Sequence, residues 1–149
     1  MGRIIALIIG ALSGSAMTFQ GCINSELGEK TGPFVMALIV QLVGFIAALL
    51  LFLVSASWRR WGALAGVPWY SIMGGGVIGV AIIIGVAYTI PKTGAALGIS
   101  AILIAQLLTA LLCDHFGLFT TTKTPLTWMR LVGTALMIVG ARLLVVKGK

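Results

Sequence analysis

Charge is scarce in this chain. Its 149 residues include three acids and one histidine, and charged side chains make up 9% of the total. A soluble domain carries about 25%. Hydrophobic residues reach 60%, with 20 glycines besides, and the mean hydropathy is +1.16. Too little polar surface remains to cover a water-soluble particle, so a soluble enzyme is excluded. A disordered chain is excluded too, since it needs low hydrophobicity and high charge. Two cysteines, Cys22 and Cys113, are too few for a disulfide framework or a zinc site. One histidine, His115, excludes multi-histidine metal chemistry within one chain. No nucleophile stands beside an oriented base, so catalysis has no support, and no cofactor is expected.

Positive charge is the exception, with ten Lys and Arg and a net charge of +7. These residues are scattered singly or in pairs and form no basic face that could follow a phosphate backbone, so nucleic acid is not the expected partner. Their positions suit the boundary between a lipid bilayer and water.

Long apolar runs fill the rest. A helix crossing a hydrocarbon core needs about 20 apolar residues, because every backbone polar group must be satisfied internally. Five stretches qualify: 4–24, 34–54, 69–90, 94–113 and 128–146. They predict an all-α integral membrane protein, a single transmembrane domain over 1–149 with five transmembrane helices and short loops. Pro91 is expected to stop the third span, and Pro91-Lys92-Thr93 to turn it tightly into the fourth. Arg3 with the apolar 4–12, then Phe19-Gln20-Gly21-Cys22, has the outline of a cleavable signal. Cleavage would leave four spans and no secreted domain to deliver, so a first transmembrane helix is expected instead. Gly74-Gly75-Gly76-Val77-Ile78-Gly79 matches the dinucleotide fingerprint formally, but it lies inside an apolar helix with no strand before it. Gly10/Gly14, Gly75/Gly79 and Gly94/Gly98 are expected to permit close helix contact. Trp58, Trp61, Trp69 and Trp128 fall at span boundaries, as does Tyr88, where aromatic rings anchor at headgroup level.

Five spans place the termini on opposite sides. The cations then divide as Arg3, Arg59, Arg60, Lys123 and Arg130 against Lys30, Lys92, Arg142, Lys147 and Lys149, five of each. Orientation normally follows the Lys/Arg excess, and here there is none. Either the chain inserts both ways and two copies assemble head to tail, or a partner or slight loop differences fix one orientation. The first is preferred, because five helices are few for enclosing a path and inverted repeats are an established transporter plan.

Polar side chains inside lipid are costly and need a reason. Ser13, Met17, Gln20 and Asn24 share one helical face, either lining a polar path or bonding neighbouring helices. Gln41, and Gln106 with Thr109 on its face, carry the same two readings. Asp114-His115 is the only ionisable acid/base pair, open to proton relay or cation contact, or to helix termination and pairing with Arg130. Inverting one copy brings Gln20 and Asn24 to the depth of Asp114 in the other, and Cys22 to the depth of Cys113.

The order of short motifs adds a resemblance. Gln20-x-x-x-Asn24-x-x-Leu27-Gly28 follows the first span, and Trp69 with Gly74-Gly75 and Gly79 opens the third. Pro91-Lys92-Thr93-Gly94-Ala95-Ala96 joins the third and fourth. Gln106 precedes Asp114-His115-Phe116-Gly117, and Arg130-x-x-Gly133 leads to Gly140. Taken together, the chain resembles the YdcZ-type family of the drug/metabolite transporter superfamily over essentially its whole length. The resemblance implies a multi-pass protein of the bacterial inner membrane, half of a ten-helix bundle, pairing as an antiparallel homodimer or with a homologue. It implies export without naming a substrate. Related four-span multidrug proteins carry a carboxylate near the middle of the first span; here no acid precedes Glu26, which speaks against that form of proton coupling. The combined expectation is a transporter subunit moving a polar metabolite or drug by alternating access. Its small-molecule substrate would meet Gln20, Asn24, Gln41 and Gln106, with Asp114 at one mouth. The rival expectations are a non-transporting assembly or regulatory subunit, and a passive pore.

Overall fold

A computed structural model describes residues 2–54, 62, 66–118 and 123–145. Among them are five α-helices and no strand: α1 (Gly2–Thr31), α2 (Pro33–Val54), α3 (Trp69–Thr93), α4 (Ala95–Phe116) and α5 (Trp128–Val145). Helices α1 to α4 are each long and apolar enough to cross a membrane. α5 has 18 residues, with Arg130 in its first turn and Arg142 in its last. Trp58, Trp61, Arg59, Arg60, Lys147, Lys149 and the expected span end at Val146 lie outside the described residues. Trp69 and Trp128 open α3 and α5 with exposed rings.

Two helices run further than the apolar spans. α1 continues past Asn24 to Thr31, because helical backbone bonds do not require apolar side chains. An exposed Lys30–Glu26 ion pair of 2.6 Å, at the helical i,i+4 spacing, supports its last turns. At 1.5 Å per residue α1 is about 45 Å long, against a hydrocarbon core of about 30 Å. α3 passes through Pro91 and ends at Thr93. Proline removes one backbone donor and crowds the carbonyl a turn earlier, which a final turn tolerates. The break falls instead at Gly94, at φ 78.

Gly32 plays the same part between α1 and α2. Its N–H donates to the Gly28 carbonyl (2.9 Å), and its own carbonyl accepts from Met36 N–H (3.1 Å). Pro33 follows at the first helical position, where its fixed φ fits and its missing donor is not needed. Gly32 sits at φ 84, a conformation that costs an L side chain about 1–2 kcal/mol. Gly32→Ala is therefore expected to lose about that much stability, read as a lowered thermal midpoint in detergent.

The chain forms two compact units, residues 1–91 and 92–149. In the first, α1 packs with α2, and its Gly21 approaches α3. A Cβ on Gly21 would stand 2.8 Å from Val86 Cγ1 and 3.1 Å from Ile90 Cδ1. A Cβ on Gly28 would meet Met36 at 3.8 Å and Ala87 at 3.9 Å. Gly21 and Gly28 are about two turns apart, yet both face the same short stretch of α3, so α1 crosses that helix rather than running beside it. Among the described residues the buried apolar core is Met36, Ala37, Ala87 and Ile90. From Gly2 to Met17, every α1 residue is exposed. Lipid removes the hydrophobic drive between helices, so van der Waals fit at small residues must hold the crossing.

In the second unit, α4 ends in a Schellman arrangement. Gly117 at φ 64 donates to the Asp114 carbonyl (3.3 Å), and Leu118 N–H to the Cys113 carbonyl (2.9 Å). The end of α4 meets the start of α5 through Asp114 and Arg130. Leu97 near the start of α4 shares a cleft with Arg142 near the end of α5, so the two helices run antiparallel.

Candidate functional site

The buried face of α1 carries Gly21, Asn24 and Ser25. Ser25 is satisfied within its own helix, its hydroxyl donating to the Gly21 carbonyl at 2.7 Å. Asn24 is different. It is 5% exposed, its amide bonds to no described residue, and no polar atom there is wholly sealed and unpaired. Donor and acceptor are thus both held at the edge of the α1 packing face. Gln41 of α2 is half-buried, its Nε2 3.8 Å from where a Cβ on Gly79 of α3 would be. A side chain at Gly79 would meet that amide at ordinary contact distance. Asn24 and Gln41 each stand about two turns from the Gly32 joint, one on each helix of the pair.

The expected polar stripe along α1 divides. Asn24 lies in the packed part, whereas Ser13, Met17 and Gln20 are exposed, because the other helices of the first unit meet α1 along its C-terminal half. Ser13 turns its hydroxyl to the Ile9 carbonyl at 2.9 Å, and Thr109 does the same with Ala105 at 2.9 Å, which satisfies both without a neighbour. Gln106 is exposed on α4.

Asp114 is engaged structurally. Its Oδ2 lies 3.4 Å from Arg130 Nη1, with the side chains 37% and 33% exposed. Its carbonyl accepts N–H groups from Gly117 and, at 2.8 Å, Thr124. Next to it, His115 Nδ1 accepts the Leu126 N–H at 3.2 Å, which places the neutral ring's proton on Nε2. Asp114 and His115 together fasten the connection into α5 onto the end of α4. A part-exposed ion pair is worth under about 1 kcal/mol. A double-mutant cycle on Asp114→Asn and Arg130→Gln is expected to return a coupling of that size in thermal unfolding.

The glycines expected to bring helices together divide: Gly98 is buried on α4 and Gly79 stands near Gln41. Open space surrounds Gly10, Gly14 and Gly75, and Gly94 serves as a turn. Gly21 makes the tight helix approach, and Gly28 faces its neighbours at ordinary contact distance. Their seven-residue spacing, with Asn24 and Ser25 between, is the signal that would have found them. Among the described residues no His/Cys/Asp/Glu cluster suited to a metal ion occurs.

Residues 5–143 match the model of the family described as "Putative inner membrane exporter, YdcZ". The chain belongs to the YdcZ family. The match begins in the first turn of α1 and ends within α5, so it takes in every described helix. Neither the curated proteins nor the solved structures gave a match. The YdcZ description places this kind of protein in the inner membrane, and helices α1 to α4 have the length and composition to cross it.

Proposed function

We propose that this YdcZ-family chain is an exporter subunit that recognises a polar, weakly charged small molecule through side-chain amides. The observation that carries the reading is Asn24, nearly buried on the packed face of α1 with its amide unpaired. Gln41 at Gly79 supplies a second amide within the same unit. Two copies in opposite orientations would complete the path, with the exposed half of α1 and its Gln20 facing the other copy and Gln106 contributing from α4. Asp114, held by Arg130, would stand at the mouth as part of the frame. Alternating access between the paired copies would move the solute. The balanced distribution of cations and the family's description as exporters support this reading.

The test is a thermal-stability screen of purified protein against polar metabolites. A compound that raises the midpoint in the native protein and not in Asn24→Ala or Gln20→Ala supports amide recognition. If every stabilising compound acts equally on both variants, the recognition site lies elsewhere.

A further inference from the structure

We propose that the cleft between α4 and α5 is a binding site for an anionic phospholipid, its phosphate held by Arg142 and an acyl chain lying along the groove. The cleft has a volume of about 450 Å³ and is lined by Leu97, Ser100, Ala101 and Ile104 of α4 and by Ile138, Ala141 and Arg142 of α5. These positions recur at three- and four-residue steps, so each helix gives one stripe. Ala101 and Ala141 leave the floor low, and Leu97, Ile104 and Ile138 form the walls. Leu97 and Ile138 are exposed, so the groove opens sideways. That is how a lipid chain would enter from a bilayer.

Charge selects the headgroup. Residues 92–149 contain a single acid, Asp114, and it is occupied by Arg130 at the opposite end of α5. No side-chain carboxylate of its own unit is therefore left to neutralise Arg142. It sits in the last turn of α5, where the helix dipole favours a cation only partly, and an unpaired guanidinium near lipid is costly. A phosphate supplies the missing anion with fork geometry that matches arginine. The antiparallel register puts Arg142 and Leu97 at one end of the groove and Ile104 and Ile138 at the other. The Ser100 hydroxyl lies between, one turn in from Leu97. A small soluble anion would gain nothing from five apolar lining residues, whereas a lipid uses both ends.

The experiment takes the purified full chain in detergent and adds phosphatidylglycerol or phosphatidylcholine with the same acyl chains, reading the thermal midpoint. Phosphatidylglycerol is expected to raise it saturably, and phosphatidylcholine and inorganic phosphate are not. Arg142→Gln should weaken the apparent affinity at least tenfold, and Arg142→Lys should keep part of it. Ala101→Phe, which fills the groove and retains the cation, should abolish the shift. An undiminished shift in either Arg142→Gln or Ala101→Phe overturns the proposal. So does an equal shift with phosphatidylcholine or inorganic phosphate. Ready disulfide cross-linking of two copies through Ala101→Cys, in a chain that also carries Cys22→Ser and Cys113→Ser, also overturns it, because a second copy then fills the groove.

Discussion

Gly21→Ala is expected to destabilise the first unit by about 1–3 kcal/mol, while Gly10→Ala, the same change on the same helix, is expected to be neutral or stabilising. Alanine gains up to about 1 kcal/mol over glycine in a helix interior, and at Gly10 nothing lies within 4 Å to oppose that gain. At Gly21 the new methyl would stand 2.8 Å from Val86 Cγ1. Valine in a helix holds one χ1 rotamer, so it cannot swing aside. The helices must separate at the crossing, and the contacts of Gly28 with Met36 and Ala87 loosen with it. Gly21→Leu is expected to go further and yield no stably packed unit. Thermal unfolding in detergent reads all three variants. A Gly21→Ala protein as stable as Gly10→Ala would show that α1 does not cross α3 here.

Mild oxidation is expected to give a covalent dimer through Cys22 of one copy and Cys113 of the other, absent from Cys22→Ser and Cys113→Ser. This follows from the proposed antiparallel pairing. Neither cysteine is in a disulfide, and both are half-buried. The extension of α1 to Thr31 bears on the depth. Glu26 and Lys30 form an exposed ion pair, so the last turns of α1 stand outside the hydrocarbon. Cys22 then lies about one turn inside the boundary. In the proposed topology Cys113, next to Asp114 near the end of α4, would lie at a similar depth beneath the opposite surface. In that topology, inversion of one copy would bring the two thiols level. Cysteine-directed labelling in intact cells supplies the second readout: Cys22 should react from both sides of the membrane. Labelling from one side alone would rule out dual orientation.

The helices were legible in the sequence because helix formation in lipid is local. Each apolar run must close its own backbone hydrogen bonds, and the runs at 4–24, 34–54, 69–90 and 94–113 fall on α1 to α4. Ends were less legible. Hydropathy marks where lipid stops, whereas the helix stops where a glycine takes positive φ, as at Gly32 and Gly94.

By itself the sequence determined that this chain lives in a bilayer, where its helices run and which few polar side chains they carry. Only the tertiary structure decided that Gly21, Asn24 and Ser25, rather than Ser13, Met17 and Gln20, form the buried face of α1. It also decided that Asp114 is tied to Arg130. The reason is physical. In water an apolar stripe marks the face that must be hidden. In lipid every face of these helices is apolar and none is driven inward, so steric fit between small residues selects the contact, and fit belongs to pairs of helices rather than to any one segment.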